Sequence, residues 1–267
     1  MIAAYIILSV LFLAFALYVF VLVRPTAKMP KDKSLLTDYA HRGLHGGTIP
    51  ENSLAAFEKA AQNGFGIELD VQLSKDDVVM VFHDYNLARM TGADKKLSDL
   101  TSGELGELSL ANTDQAIPSF KEVLSLIDGR VPILVELKGE NLNTKLCPKV
   151  AELLKDYNGS YCIESFNPLL IKAMRKYLPN AFYGQLYTNV CRDKKKCTPL
   201  NVLLTLLAFN FLAKPDFIAF NKLDRNSLPV KLATRFYKAP KFVWTVKTQK
   251  EKTAAKFYKE HAIFENV

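Results

Sequence analysis

Short apolar runs alternate with helical patterns along most of this 267-residue chain, which predicts an α/β fold, a (β/α)₈ TIM-type barrel. The first two dozen residues differ from the rest because no charged side chain lies between positions 2 and 23. The remainder suits one domain of the size of such a barrel. A doubly wound open sheet is the alternative fold for the same alternation.

The first element is the uncharged segment from Ile2 to Val23. At about 1.5 Å per residue it can cross a hydrocarbon core of about 30 Å, so we predict one transmembrane helix over residues 1–24. A cleaved signal peptide is the alternative, but it would need a basic N-terminal region and a shorter apolar core. The basic residues that follow predict a single-pass protein of the cell membrane with its body in the cytoplasm: Arg24, Lys28, Lys31 and Lys33.

A linker over residues 25–36 is predicted to lead into a barrel domain over residues 37–267. Strand-like runs lie at residues 39–41, 67–73, 78–83, 133–137, 161–166, 182–186, 217–220, 242–246 and 262–265. Helical patterns begin at Asn52 and cover residues 120–127, 144–157, 169–177, 228–237 and 250–259. An additional apolar helix, Leu200 to Leu212, either packs over the barrel or serves as a lid or membrane-touching element.

The second and third runs are too close together for parallel neighbours. Only Ser74 to Asp77 separate them, so we predict a hairpin. A turn centred between Lys75 and Asp76 would place His83 opposite Glu68, to within a residue or two. The hairpin also accounts for a ninth strand in a barrel that needs eight.

Composition narrows the class of partner. The net charge of +8 is spread along the body of the chain, which suits a domain beside an anionic membrane. No zinc-finger spacing, RNP motif or basic helix favours nucleic acid. The four cysteines, at positions 147, 162, 191 and 197, are expected to be reduced thiols. The sequence leaves the oligomeric state open.

Polar residues end several of the predicted strands, which is where such barrels have their active sites. They are His41 and Arg42 in HRG, Glu68 and Asp70 in GIELDV, His83 in VVMVFHD, and Glu136 and Lys138 in ILVELK. Side chains two apart on a strand point the same way. Each residue alone also fits a structural role, and the coincidence of all of them at one rim favours a site.

The three carboxylates, Glu68, Asp70 and Glu136, form a hard oxygen site suited to Ca²⁺ or Mg²⁺, and such an ion would remove their mutual repulsion. Arg42 and Lys138 supply fixed positive charge for a phosphate. Two histidines beside the same point can act as base and acid. The set is suited to cleavage of a phosphodiester.

At these residues the sequence resembles the glycerophosphodiester phosphodiesterase family. The family's N-terminal signature matches the segment HRGLHGGTIPENSLAAFEKAAQNGFGIELDVQLSKDDVVMVFHDYNLARMTG. Later blocks of the family match, in order, VPILVELKGE, IESFNP and FVWTVK. The resemblance covers roughly His41 to the C-terminus. It implies a modified (β/α)₈ barrel similar to phosphatidylinositol-specific phospholipases C, and hydrolysis of glycerophosphodiesters to sn-glycerol 3-phosphate and an alcohol.

The resemblance also implies roles for single residues. Glu68, Asp70 and Glu136 would hold the metal, His41 and His83 would be the general base and acid in an order not determined, and Arg42 and Lys138 would bind the phosphate. By the same resemblance Trp244 would form the apolar wall under the glycerol, and a buried core residue is the alternative. In the mechanism proposed for the family, the glycerol 2-hydroxyl attacks phosphorus and water opens the resulting cyclic phosphate.

Two departures from the family pattern stand out. Asp77 takes a hairpin position usually held by glycine, at a small expected cost because aspartate tolerates a left-handed backbone. The terminal block lacks the usual Thr-Asp pair and reads Ile263 to Val267. The sequence also fits two other functions: a lysophospholipase D that acts on membrane lysolipids, and a catalytically inactive membrane-bound phosphate-binding scaffold.

Overall fold

The computed structural model describes residues 1–139 and 143–265. Eight parallel strands close into a barrel, because β1 pairs with both β2 and β9. The strands are β1 Tyr39–Ala40, β2 Gly66–Leu73, β3 Val79–Val81, β4 Ile133–Leu137, β5 Tyr161–Ser165, β6 Phe182–Tyr187, β7 Phe217–Asn221, β8 Lys241–Val246 and β9 His261–Phe264. The predicted barrel is confirmed, and the alternative of an open sheet is wrong.

The ninth strand, β3, forms the predicted antiparallel hairpin with β2. Leu73 lies opposite Val79, which shifts the register by one residue from the prediction. The turn is one residue longer because the Ser74 hydroxyl bonds both the N–H and the carbonyl of Val78. Asp77 has a φ of +59°, the left-handed conformation expected for it.

The first helix precedes the first strand, and the other helices lie in the connections around the barrel. The helices are α1 Ile2–Leu17, α2 Leu54–Gln62, α3 Ala88–Thr91, α4 Ser102–Gly106, α5 Phe120–Ile127, α6 Leu146–Lys155, α7 Pro168–Tyr177, α8 Val190–Asp193, α9 Pro199–Thr205, α10 Asn210–Ala213, α11 Leu228–Lys231 and α12 Gln249–Phe257. A π-helical turn, Tyr18–Leu22, continues α1, and another, Leu232–Phe236, continues α11. Capping residues set the starts, as where Ser53 accepts a hydrogen bond from the Ala56 N–H at α2.

The single apolar helix predicted over residues 200–212 is wrong. The chain instead breaks between α9 and α10, where Leu207 has a φ of +53°. This break lets Leu207 and Ala208 turn inwards and become buried, while Leu200 and Phe211 remain exposed. Burial of apolar side chains from the turn outweighs the backbone strain of one left-handed residue.

The barrel interior has an apolar layer at the amino ends of the strands and a charged layer above it. The apolar layer includes Tyr39, Leu134, Phe217 and Phe242, and Leu35 packs against it from the chain before β1. On β2 the alternation of side chains sends Ile67, Leu69 and Val71 outwards, where they are fully buried in the same core cluster as helical residues. Their neighbours therefore project into the charged layer at the carboxyl ends.

Residues between α1 and β1 lie along the barrel. Val19 and Val23 are buried. The Thr26 N–H donates to the Pro215 carbonyl at 2.8 Å, directly before β7. The segment predicted as a linker, residues 25–36, is thus held against the barrel at several points.

Candidate active site

Three carboxylates meet at the carboxyl end of the barrel. Glu68 and Asp70 project from β2 and Glu136 from β4, and one oxygen of each lies within 4.8 Å of the others. All three are buried, at 2%, 0% and 7% exposure. Pairing of β2 with β4 places Asp70 directly beside Glu136. The two-residue spacing in GIELDV therefore gives the same-face geometry that the sequence predicts.

Burial and mutual repulsion govern the charge of this cluster. Burial first, and then Asp70 and Glu136, raise the pKa of Glu68 well above its usual range. Burial also raises the pKa of Glu136 to about 7, although Lys138 opposes it. Burial would raise the pKa of Asp70, but the cations around it, Lys138 first, hold that pKa well below its usual range. The raised pKa values of Glu68 and Glu136 indicate that the cations of the chain do not fully offset the burial and mutual repulsion of these carboxyl groups.

Lys138 and Arg42 are the fixed cations of the site. The Lys138 Nζ atom lies 2.9 Å from Asp70 Oδ1 and 2.8 Å from Glu136 Oε1. Burial would lower the pKa of Lys138, but these carboxylates raise it overall. The Arg42 Nε atom lies 3.6 Å from Asp70 Oδ2, and its backbone N–H donates to Glu68 Oε2 at 2.8 Å. Arg42 has a φ of +55°, a conformation that turns its backbone towards the carboxylates.

Each of the two predicted histidines has a carboxylate partner. His41 Nδ1 lies 2.5 Å from Glu265 Oε1, and His83 Nδ1 lies 2.6 Å from Asp84 Oδ1. A carboxylate at Nδ1 orients the ring and leaves Nε2 for proton transfer. His41 Nε2 lies 4.0 Å from Glu68 Oε2, so it points to the cluster. Burial lowers the pKa of both rings, and the carboxylate partners oppose that shift.

A second group of polar residues holds this arrangement together. Glu51 receives hydrogen bonds from Arg42 at 2.8 Å and from Arg89 at 2.6 Å. Arg89 also donates to Asp84, the partner of His83. Glu51 is therefore linked through Arg42 and Arg89 to the chain segments that carry both histidines. Asn52 donates to Asp70 Oδ2 at 2.9 Å from a backbone with a φ of +53°.

Trp244 lies half-buried at the edge of the site, and the apolar wall under the glycerol stays a prediction for it. Its ring packs against the apolar layer of the barrel, and its indole N–H donates to the Ala219 carbonyl at 3.0 Å. Its edge-to-face contact with Phe166 has a centroid distance of 5.6 Å. Phe166 also lines a cavity together with His83, Glu136 and Lys138, so the aromatic pair lies at the rim of the site.

Sequence reasoning missed two acidic residues of the site. Glu265 follows β9 and binds His41, and Glu164 on β5 lies beside Glu136 in the strand register. Burial raises the pKa of Glu164 well above its usual range. Both follow the rule that located the others, a polar side chain at the end of a strand. The last residues of the terminal block, Asn266 and Val267, and Glu140 of the ILVELKGE block lie outside the described residues.

Two cavities adjoin at this face. The catalytic pocket, of about 290 Å³, is lined by His83, Glu136, Lys138 and Phe166 among others. An apolar cavity of about 220 Å³ lies between the ends of β5 and β6 and the segment of α9 and α10, lined by Phe166, Leu186, Leu204, Leu207 and Phe209 among others. Phe166 is common to both, so the cavities share one wall.

A closed (β/α)₈ barrel with buried carboxylates, paired histidines and fixed cations at its carboxyl end has the equipment of a phosphoric diester hydrolase. The chain belongs to the glycerophosphoryl diester phosphodiesterase family, whose model matches residues 41–266.

Individual relatives agree with this family. A glycerophosphodiester phosphodiesterase from Caldanaerobacter subterraneus is 35% identical over 159 residues, 55% of this chain and 65% of the relative. The putative glycerophosphodiester phosphodiesterase YhdW of Bacillus subtilis is 28% identical over 235 residues, which are 81% of this chain and 88% of the relative. Human lysophospholipase D GDPD1 is 37% identical over 141 residues, 48% of this chain and 44% of the relative. The chain thus spans between about half and nearly all of these relatives.

Solved structures share the fold. Glycerophosphodiester phosphodiesterase from Thermotoga maritima has a TM-score of 0.66 and 27% identity, covering 85% of this chain and 94% of that chain. A phosphodiesterase from Oleispira antarctica, solved with the product sn-glycerol 3-phosphate, has a TM-score of 0.70 and 22% identity, covering 86% of this chain and 92% of that chain. These likenesses agree with the closed barrel described above.

Proposed function

We propose that this protein hydrolyses glycerophosphodiesters to sn-glycerol 3-phosphate and an alcohol, with a divalent cation held by Glu68, Asp70 and Glu136. The observation that carries the proposal is the buried cluster of these three carboxylates, flanked by two histidines that each have a carboxylate partner. The catalytically inactive scaffold is disfavoured because every charged group of the site is in place around that cluster.

The donor set fits a hard cation. All three ligand groups are carboxyl groups, and their burial and mutual repulsion when ionised favour a bound cation in addition to Lys138. Ca²⁺ and Mg²⁺ both bind such oxygens. When bound, the cation would polarise a phosphoryl oxygen and offset developing negative charge.

The protein's own residues would position and protonate the substrate. Arg42 and Lys138 bind phosphoryl oxygens, which holds phosphorus between the two histidines. One imidazole takes the proton of the attacking glycerol 2-hydroxyl, and the other gives a proton to the leaving alcohol. Water then opens the cyclic phosphate with the two roles exchanged. Trp244 and Phe166 offer an apolar wall to the glycerol carbons.

The direct test uses the full-length protein in detergent with glycerophosphocholine and glycerophosphoethanolamine. We expect release of sn-glycerol 3-phosphate, its loss in excess chelator, and recovery with Ca²⁺, Mg²⁺ or Mn²⁺, whose order identifies the preferred ion. His41→Ala and Glu68→Gln should each abolish turnover, whereas Glu107→Gln, at an exposed position outside the site, should not. Full activity in excess chelator would refute the metal assignment.

A lysophospholipase D is the second candidate function, favoured by the apolar cavity that shares Phe166 with the catalytic pocket. An engineered cavity of about 150 Å³ is large enough to bind benzene, so about 220 Å³ has room for part of an acyl chain. Comparing lysophosphatidylcholine with glycerophosphocholine separates the candidates. If the cavity binds the chain, Leu204→Asn should lower kcat/KM for the lysolipid alone.

We further propose that the protein is a bacterial, membrane-anchored member of its family, with residues 1–24 as the anchor, 25–36 as a linker and 37–267 as the catalytic domain. Within the described residues, Ile2–Leu22 is the one helix long and apolar enough to cross a membrane, a property that signal sequences share. Its end packs on the barrel through Val19 and Val23, which favours a retained anchor. The basic residues after it favour a cytoplasmic catalytic domain. Protease protection in inverted vesicles tests this orientation.

A further inference from the structure

The chain that follows α1 runs along the outside of the barrel beside the segment that enters β7. The Tyr18 hydroxyl donates to the Leu206 carbonyl at 3.0 Å, and the Asn210 side chain donates to the Val23 carbonyl at 2.8 Å. The Thr26 N–H then donates to the Pro215 carbonyl. Residues 18–26 and residues 206–215 therefore run side by side in the same direction.

That direction is fixed relative to the catalytic rim. Pro215 directly precedes β7 and so lies at the amino end of the barrel, opposite the site. Leu204 and Leu207, which flank the partner of Tyr18, line a cavity together with Thr188 at the carboxyl end of β6. Tyr18 is thus near the level of the catalytic rim, and the chain runs from Tyr18 towards the amino end of the barrel.

The apolar helix α1 must then project beyond the rim. It is continuous with the turn Tyr18–Leu22, and no residue of it is buried. At about 1.5 Å per residue, its sixteen residues reach about 24 Å past the barrel on the catalytic side. The bilayer that would cover α1 therefore lies on that side.

The protein surface that faces the same way is both apolar and basic. The segment 190–205, here called the rim insertion, exposes Leu200 by 57%, Val202 by 39% and Leu203 by 39%. It also carries three consecutive exposed lysines, Lys194 to Lys196. Exposed apolar side chains next to lysines are typical of elements that lie in the interface of an anionic bilayer.

We infer that the catalytic rim faces the bilayer in which α1 is embedded, with the rim insertion seated in the headgroup region. This orientation rests on the anchor of the proposed function and not on the catalytic chemistry. It brings the carboxylate cluster within reach of headgroups at the bilayer surface. The substrate enters from the membrane side rather than from bulk solvent.

The test compares two labelled positions in the full-length protein. Cys197 is exposed on the rim insertion, whereas Cys147 and Cys162 are buried, so a thiol-reactive fluorophore labels Cys197 in the Cys191→Ser protein. Asn158→Cys, in a protein that also carries Cys191→Ser and Cys197→Ser, places the same label at the amino end of the barrel before β5. Both proteins are reconstituted in vesicles of phosphatidylcholine and phosphatidylglycerol that contain a headgroup nitroxide lipid.

We expect a blue shift and nitroxide quenching of the label at Cys197, and neither effect at position 158. Quenching at position 158 alone, at both positions or at neither would overturn the inference. Flotation of the vesicles tests the anchor separately, and protein that fails to float would refute the anchor and this orientation together. Hydrolysis of glycerophosphocholine by the same sample in detergent tests catalysis independently of both.

The three lysines provide a matched pair of variants. Replacing Lys194, Lys195 and Lys196 with glutamine should reduce quenching at Cys197 in anionic vesicles. The same replacement of Lys28, Lys31 and Lys33, which follow the descending segment towards the amino end, should leave it unchanged. Equal effects of the two triple variants would show general charge attraction and contradict a specific role for the rim insertion.

Discussion

At the scale of single residues, Glu265 has the clearest consequence for chemistry. Burial would raise the pKa of this carboxyl, but hydrogen bonds from His41 and Lys247 lower it to about 2. It is therefore anionic throughout the pH range in which histidine titrates. An anionic partner keeps the proton of His41 on Nδ1 and leaves Nε2 free to act in the site.

We predict that Glu265→Gln lowers kcat/KM for glycerophosphocholine by about 10- to 100-fold, as is usual for partners that orient an active-site imidazole. Glu265 raises the pKa of His41, so its loss lowers that pKa and moves the His41-dependent limb of the pH profile to lower pH. A shift of the acid limb identifies His41 as the base, and a shift of the alkaline limb identifies it as the acid. A drop in rate with neither limb moved would contradict the orienting role.

The carboxylate cluster predicts a stability effect that needs no substrate. A cation that binds only the folded protein stabilises it by about 2.7 kcal/mol at a concentration of 100 Kd. For a chain of this size this corresponds to a Tm increase of about 5–10 °C with Ca²⁺ or Mg²⁺. Glu136→Gln should remove most of that increase in a thermal melt, whereas Glu107→Gln should retain it. An equal increase in both variants would place the ion elsewhere.

At the scale of elements, the β2–β3 hairpin carries a small local strain. Asp77 has a φ of +59° and an exposed side chain. Because glycine adopts this conformation without strain, we predict that Asp77→Gly stabilises the protein and raises its free energy of unfolding by about 0.5 to 1 kcal/mol. Asp77→Val should destabilise the protein, because a β-branched side chain resists a positive φ. Urea unfolding of the three proteins provides the comparison, and a destabilised glycine variant would contradict the prediction.

The N-terminal helix consists of two parts that differ in their contribution to the fold. Residues 2–16 contribute no buried side chain, whereas Val19 and Val23 are buried in the barrel wall. Deleting residues 2–16 should leave the free energy of unfolding in detergent unchanged. Deleting residues 1–30 should lower it by about 2 kcal/mol or more, since burial of one valine is worth about 1.5–3 kcal/mol. Equal stability of the two truncated proteins would show that the docked segment is dispensable.

At the scale of the whole molecule, the proposed orientation places the apolar helix α1, the rim insertion and the site on one side of the barrel. We predict that deleting residues 2–16 leaves kcat/KM for soluble glycerophosphocholine unchanged. Hydrolysis of lysophosphatidylcholine presented in vesicles should fall by about 10-fold or more, because the anchor raises the local concentration of enzyme at the surface. Equal loss on both substrates would indicate damage to the site instead.

Much of the fold could be predicted from sequence because its signals are local. Short apolar runs located the strands to within two residues, and the short Ser74–Asp77 connection identified the hairpin. The broken helix at Leu207 could not be predicted in this way. Its apolar run fits one helix, and only packing against β6 and the N-terminal segment makes the inward turn favourable.

The sequence by itself determined that Glu68 and Asp70 share a face of one strand and that Glu136 and Lys138 share a face of another. Side-chain alternation along a strand is a property of the local backbone, so it needs no knowledge of distant residues. Only the tertiary structure decided that Glu265 meets His41 and that Leu206 meets Tyr18, partners separated by 224 and 188 positions in the chain. Such pairs depend on barrel closure and on the route of a long connection, and no local pattern of residues encodes either.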